Sequence, residues 1–178
     1  MPASLAGKVL LAHPSLDDVH FRRTAVLLHH HTAKHGALGV VLNRPLARTL
    51  ADLDGRFAGG PVAEALAHEG GPVHPDRLAL ASWRLVPGGL GDLRFGLAEE
   101  EASRLAADPA VRLRAYVGHA AWSPGQLDNE LRLNAWVVAP LGPDAETLAG
   151  EALWRRWIGQ LRPDLRLAAD APGDLGLN

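Results

Sequence analysis

Short runs of apolar residues recur along the chain, and in the first half their pattern predicts mainly strands. Residues 24–31, TAVLLHHH, begin as a near-continuous apolar run, which is typical of a strand with both faces covered. Residues 32–36 then lead into a second apolar run at 37–43, so the two runs predict a β-hairpin with a longer loop. Further strands are predicted at residues 7–12, 77–83, 111–122 and 135–140.

Three segments of the second half carry helical signals. Residues 97–109 have three glutamates near their start, where the helix dipole favours anions, and they end at a proline. Residues 123–134 begin with SPGQ, a capping-box pattern with proline at the first helical position. Residues 152–161 place two tryptophans, an isoleucine and a leucine at helical spacing, so they predict an amphipathic helix packed against the rest of the domain.

Weaker signals divide the rest of the chain. Residues 61–68 predict a short helix that starts at a proline, and residues 69–73, EGGPV, predict a tight turn. The glycine-rich residues 87–96 lack the spacing of a phosphate-binding loop and predict a hairpin connection into another strand. Helical turns are predicted near residues 15–18 and 49–53, and the tail 163–178 is expected to be mostly loop.

Composition narrows the class of protein. The 178 residues fit one domain, predicted to span 1–178, and the absence of cysteine excludes disulfides and thiolate metal sites and fits a reducing, cytoplasmic compartment. The formal net charge is −2, and no third of the chain has a strong basic excess, so direct nucleic-acid binding is not expected. The N-terminus lacks the pattern of a signal peptide, and no apolar run is long enough to predict a membrane span.

The histidine-rich end of residues 24–31 raises the question of a metal site. Strand alternation would place His29 and His31 on one face and His30 on the other, with His35 across the loop leaning toward His31. A zinc ion needs three or four such ligands at about 2 Å, so a metal-assisted hydrolase built on His29, His31 and His35 is one hypothesis. The favoured interpretation is a solvated strand end with no metal and no cofactor.

Polar and aromatic side chains also concentrate around the SPGQ helix start. We predict a candidate binding cleft there, because the segment combines convergent polar groups with an aromatic ring. The alternative is structural: the glutamine completes the helix cap, while the glutamate and the asparagine satisfy backbone groups at the sheet. The residues of this candidate cleft are His119, Trp122, Gln126, Glu130 and Asn134.

Nucleophilic catalysis finds little support in the pattern. Ser15 lies outside any Gly-x-Ser-x-Gly nucleophile elbow and is predicted to cap a turn. Asp18 and Arg23 are predicted to form an ion pair that fixes the same turn. No catalytic residue is therefore assigned, and the sequence leans away from an enzyme.

Several segments, taken in order, resemble the YqgE/AlgH family of small bacterial proteins. The resemblance covers about residues 8–158 and implies a single α+β domain with a curled, mostly antiparallel sheet flanked by helices. The family is often labelled as transcriptional regulators, and the resemblance implies no catalytic residues. The segments that carry it are LLAHPSLDDVHFRRTAVLL, GALGVVLNRPL, GGPV and GHAAWSPGQLDNELRLNAWVVAP.

Together these observations predict a cytoplasmic, non-catalytic regulatory or binding module. Its partner is expected to be a protein or a small ligand that the sequence does not identify, and the oligomeric state stays open. The metal-assisted hydrolase is the alternative.

Overall fold

A computed structural model describes residues 4–172. The nine strands in this part of the chain join into one mixed sheet. Each neighbouring pair of strands is antiparallel except β5 and β8, which run parallel. The strands are β1 Lys8–Ala12, β2 Ala25–Thr32, β3 Gly36–Val41, β4 Pro45–Thr49, β5 Leu66–Glu69, β6 Val73–Val86, β7 Gly89–Phe95, β8 Val111–Trp122 and β9 Trp136–Pro140.

Six α-helices accompany the sheet in the described chain, so the predicted α+β fold is confirmed. Two 3-10 turns, Gly55–Phe57 and Pro163–Leu165, adjoin them. None of the helices within residues 4–172 is long and apolar enough to cross a membrane. The helices are α1 Leu50–Leu53, α2 Glu99–Ala106, α3 Gln126–Arg132, α4 Asp144–Thr147, α5 Gly150–Leu161 and α6 Arg166–Asp170.

Strand β8 organises the sheet. The strand order is β4-β5-β8-β3-β2-β1-β9, and β6 also pairs with β8 while carrying β7 as a hairpin partner. The first part of β8 lies between β5 and β6, and its last residues, 120–122, pair with β3. One twelve-residue strand therefore joins the β6–β7 hairpin to the rest of the sheet.

The buried side chains divide into three groups, one on each face of the sheet and one beneath α1 and α2. The group beneath α5 is the largest and includes Trp83, Tyr116 and Trp154. The group beneath α3 includes Trp122 and Trp136. Side chains alternate along β1 and β2, so neighbouring residues of these strands pack in opposite groups, one on each face of the sheet. The third group comprises Leu50, Val62, Ala67, Leu80, Ala102 and Ala115.

Three local predictions were wrong. Residues 61–68 are turns followed by the start of β5, because Leu66–Glu69 pair with β8 instead of continuing a helix. The predicted helix 123–134 begins only at Gln126, after a glycine in the left-handed region. Within the tail predicted as loop, residues 163–165 form a 3-10 turn and 166–170 form α6, while residues 173–178 lie outside the described chain.

Candidate functional site

Glu130 on α3 accepts three side-chain hydrogen bonds, and these organise the predicted cleft. The indole N–H groups of Trp122 and Trp136 each donate to Glu130 Oε2 at 2.8 Å. The Gln126 amide donates to Glu130 Oε1 at 2.9 Å. Both carboxylate oxygens are thus engaged, and α3 is fixed to two strands of the sheet through one side chain.

The start of α3 explains why Gln126 points toward Glu130. The backbone N–H and the hydroxyl of Ser123 both donate to Gln126 Oε1, at 3.0 and 3.1 Å. These bonds fix the turn before α3, but they do not form the predicted capping box, because the N-cap is Gly125 and not Ser123. The i, i+4 spacing on α3 then brings the amide of Gln126 to the carboxylate of Glu130.

Phe21 completes an aromatic cluster beside this network. Its ring stacks on Trp122 at a centroid distance of 5.9 Å and meets Trp136 edge-on at 5.7 Å. The two tryptophan rings are themselves 5.8 Å apart in an edge-to-face arrangement. Edge-to-face and offset pairs of this kind stabilise packing. These contacts and hydrogen bonds occupy the predicted cleft with side chains of the protein itself.

The other two residues of the predicted cleft lie elsewhere. Alternation along β8 places His119 with Ala121 on the face opposite Trp122, and its ring lies 5.7 Å from that of His74. Burial, and then the charges of His74 and Arg77, lower the pKa of His119. Asn134 ends the turn after α3 with a φ of 57°, and its N–H donates to the carbonyl of Leu131. The structure therefore brings Trp122, Gln126 and Glu130 together but leaves His119 and Asn134 outside their network.

The prediction that His29 and His31 share a face of β2 was wrong. The β2–β3 register shifts between Leu28 and His30, so His29 is an extra residue of the kind found in a β-bulge. Its ring stacks on Phe95 of β7 at 3.9 Å, and burial, followed by the nearby histidines, lowers its pKa to about 4. His31 lies on the other face, where its Nδ1 accepts from the Leu5 N–H at 3.0 Å.

A metal site is not assembled from these rings. His30 and His35 approach each other at a centroid distance of 6.4 Å, but His29 and His31 lie on opposite faces of the sheet. In residues 4–172 no group of three or more histidine, aspartate or glutamate side chains is arranged to hold a metal ion. The predicted interpretation of a strand end therefore fits the geometry better than the metal hypothesis.

The turn after β1 is also structural, although not by the predicted ion pair. Asp18 Oδ1 accepts from the backbone N–H groups of His20 and Phe21, at 2.8 and 3.0 Å. Arg23 instead pairs with Glu151 of α5 at 2.7 Å. Ser15 donates to or accepts from His13 Nδ1 at 2.7 Å, within the same exposed turn.

Sequence reasoning missed a buried polar group around His68. The ring is 3% exposed and lies 5.7 Å from the ring of Tyr116, which is fully buried. Burial, and then the positive charge of Arg114, lower the pKa of His68 to about 4. Arg114 itself lies over Trp83 at 4.9 Å from the ring centroid. The sequence predicts a helix at 61–68, and in that interpretation the buried histidine of β5 gives no signal.

A second missed feature is a surface groove of about 460 Å³ beside α1, β6 and α2, called here the acid-rimmed groove. Its floor is formed by Phe57 and three leucines, and its rim carries three carboxylates and one guanidinium. The rim residues Asp76 and Glu99 are exposed and have no ion-pair partner in the described chain. The lining residues are Asp54, Arg56, Phe57, Asp76, Leu78, Ala79, Leu80, Gly96, Leu97 and Glu99.

A depression of about 420 Å³ between α5 and α6 is lined by arginines, but their positive charge is neutralised by nearby carboxylates of the protein. Arg155 pairs with Glu151 at 2.7 Å, and Arg156 pairs with Asp144 at 3.5 Å. The third arginine, Arg166, lies 3.9 Å from a carboxylate of its own helix. The acid-rimmed groove is therefore the depression whose charge is less completely neutralised.

The fold and the Glu130 network define a single-domain α+β protein in which a short helix is fixed to a mixed sheet by paired tryptophans. The AlgH-like family model, DUF179, matches residues 9–166, and the protein belongs to that family. The predicted family resemblance is thereby confirmed.

Relatives and solved structures extend over nearly the whole chain. The protein is 39% identical to the UPF0301 protein SCO2948 of Streptomyces coelicolor, over 99% of this chain and 96% of that protein. It is 34% identical to a UPF0301 protein of Xylella fastidiosa, with 96% of each covered. The crystal structure of DIP2367 from Corynebacterium diphtheriae superposes with a TM-score of 0.72 at 25% identity, over 96% of this chain and 93% of that one. The solution structure of AlgH from Pseudomonas aeruginosa gives 0.67 at 25% identity, over 98% and 97%.

Proposed function

We propose that this protein is a non-catalytic, cytoplasmic binding module that holds a segment of a partner protein in the acid-rimmed groove. The observation that supports the proposal is the groove itself, which combines an apolar floor with unpaired carboxylates at its rim. Binding sites on proteins typically pair an apolar surface with a few polar groups that orient the ligand. Regulation of the partner through this contact is the role that we assign to the module.

The groove is favoured over the predicted cleft because the polar groups of the cleft are already hydrogen-bonded within the protein, whereas carboxylates at the rim of the groove are exposed. The Glu130 carboxylate already accepts from Trp122, Trp136 and Gln126, so a ligand there would have to displace bonds that fix α3. In the groove, the side chains of Asp76 and Glu99 are exposed. A ligand can therefore bind in the groove without breaking bonds that hold the fold.

The proposal is tested by selecting binding peptides from a random displayed library and measuring them on two variants. Phe57→Ala removes the aromatic ring from the groove floor, and we expect at least about tenfold weaker binding of the selected peptides. Leu133→Ala is the matched control, because Leu133 is an exposed apolar side chain that does not line the groove. Circular dichroism establishes that both variants are folded. Selected peptides that bind both variants equally well would place binding outside the groove and overturn the proposal.

A further inference from the structure

We infer that the partner segment held in the acid-rimmed groove is basic, with one apolar side chain on the floor and lysine or arginine side chains at the rim. This inference rests on the proposed function and adds the chemistry of the partner. It follows from the charges of the rim and from the composition of the floor.

The rim has an excess of negative charge that its own guanidinium does not neutralise. Arg56 is bound to Asp54, with its Nε at 3.1 and 3.0 Å from the two carboxylate oxygens and its Nη2 at 2.6 Å from one of them. This pairing neutralises Asp54 and lowers the pKa of its carboxyl through the Arg56 hydrogen bonds. Asp76 and Glu99 form no ion pair in the described chain, although Glu99 follows Asp54 in raising the pKa of Arg56 through its charge. Three carboxylates against one guanidinium leave the rim with a negative excess that can attract cations.

The two free carboxylates come from different elements on the groove. Asp76 lies on β6, and Glu99 is the first residue of α2. The positive end of the α2 dipole lies near this rim, but three glutamates occupy the first turn of the helix, and within residues 4–172 only Glu101 of them is neutralised, by Arg94 at 2.7 Å. The other two exceed the partial charge of the dipole. The potential at the rim therefore favours a cationic ligand.

The floor explains why an apolar side chain should accompany the charges. Phe57, Leu78 and Leu97 are partly buried and pack against the core that contains Leu80. They offer an apolar surface that a ligand side chain can cover, and exposed ion pairs alone contribute only about two- to fivefold each to affinity. A basic segment with an apolar residue between its charges matches both features.

The test titrates three blocked pentapeptides into nitrogen-15-labelled protein and follows the backbone amides of Leu78, Gly96 and Leu97 by NMR. The probes are Gly-Arg-Leu-Arg-Gly, its glutamine analogue Gly-Gln-Leu-Gln-Gly and its glutamate analogue Gly-Glu-Leu-Glu-Gly, each acetylated and amidated. We expect the arginine peptide to bind at these amides at least about fivefold more tightly than the glutamine peptide. The glutamate peptide is expected to bind more weakly still.

Single substitutions identify the carboxylates responsible. Asp76→Asn and Glu99→Gln should each weaken the arginine peptide by about two- to fivefold and leave the glutamine peptide unchanged. Asp17→Asn removes the same charge from an exposed position outside the groove and should change neither peptide. Raising NaCl from about 20 to about 200 mM should weaken only the arginine peptide, because screening acts on exposed charges.

The other outcomes separate this inference from the proposed function. Equal binding of all three peptides in the groove would overturn the inference and leave the groove as a binding site. No shift of the groove amides with any peptide would also overturn it, and the displayed-library experiment would then decide the proposed function independently. Groove shifts that depend on protein concentration without peptide would identify a second copy of the chain as the occupant and contradict a basic partner segment.

Discussion

The buried ring of His68 predicts a loss of stability in mild acid. The ring is 3% exposed between β4 and β8 and lies beside Tyr116. Burial, together with the charge of Arg114, lowers its pKa from 6.5 to about 4. The folded protein therefore keeps the ring neutral over a pH range in which the unfolded chain binds a proton.

The sign and size of the effect follow from this difference in proton binding. Below pH 6.5 the His68 ring binds a proton in the unfolded state but stays neutral in the native state. The free energy of unfolding therefore falls as the pH falls, until the native ring also protonates near pH 4. The depressed pKa of His68 corresponds to a loss of about 3 kcal/mol across this window. His29, whose pKa is also lowered to about 4, acts in the same direction, but its ring is partly exposed and contributes less.

Urea denaturation of wild type and His68→Phe at several values between pH 7.5 and 4 measures the effect. Phenylalanine keeps an aromatic ring at this position, and the buried Nδ1 that it removes has no hydrogen-bond partner in the described chain. We expect the wild-type free energy of unfolding to fall about 3 kcal/mol further than that of the variant between pH 6.5 and 4. Leu80→Ala, a buried apolar control, should lower stability by a similar amount at every pH. Parallel pH profiles for wild type and His68→Phe would refute the reasoning, as would an NMR titration midpoint of His68 near 6.5.

Three further substitutions and one matched control test the packing, each by urea denaturation followed by fluorescence or circular dichroism. Glu130→Ala leaves two indole N–H groups without their acceptor and should lower the free energy of unfolding by about 3 kcal/mol; a loss below about 1 kcal/mol would contradict the network. Gly36→Ala places a Cβ 2.0 Å from the Trp122 carbonyl oxygen and should cost more than about 3 kcal/mol, whereas Gly59→Ala, with a similar φ but open space, should cost only about 1 kcal/mol. Equal losses would show that φ alone decides the cost. Trp154→Phe removes the 2.8 Å hydrogen bond to the Ala12 carbonyl and should cost about 1.5 kcal/mol, and an unchanged midpoint would argue against that bond.

Local patterns predicted the elements whose own residues determine their structure. The strand 111–122 was found as predicted, because basic and apolar residues alternate where it begins, at 111–114. The segment 66–69 was misread for the opposite reason. Its apolar Leu66 is 57% exposed, whereas its polar His68 is buried, so its hydrophobic pattern contradicts its position in the sheet. It is a strand because it pairs with β4 on one side and with β8, a distant part of the chain, on the other.

In the candidate site, too, the contacts between residues close in sequence were predictable, and those between distant parts of the chain were not. Gln126 and Glu130 are neighbours through helical spacing, and Trp122 immediately precedes their helix, so their association was predictable. The bulge at His29 was not, because one extra residue in a strand changes the face of those that follow without a composition signal. The acid-rimmed groove combines residues 54–57, 76–80 and 96–99, which no local spacing connects.

The motifs that identify the family can be accounted for by packing of the backbone and core. The Gly-Gly-Pro turn crosses β8 so closely that a Cβ on Gly70 would lie 2.2 Å from the Gly118 carbonyl oxygen, and one on Gly118 would lie 2.3 Å from that of Gly71. Trp122 and Glu130 belong to the network that fixes α3. None of the ten groove residues falls within the four motif segments, 10–28, 36–46, 70–73 and 118–140. The motifs therefore specify the frame of the fold, and the acid-rimmed groove is built from residues outside them.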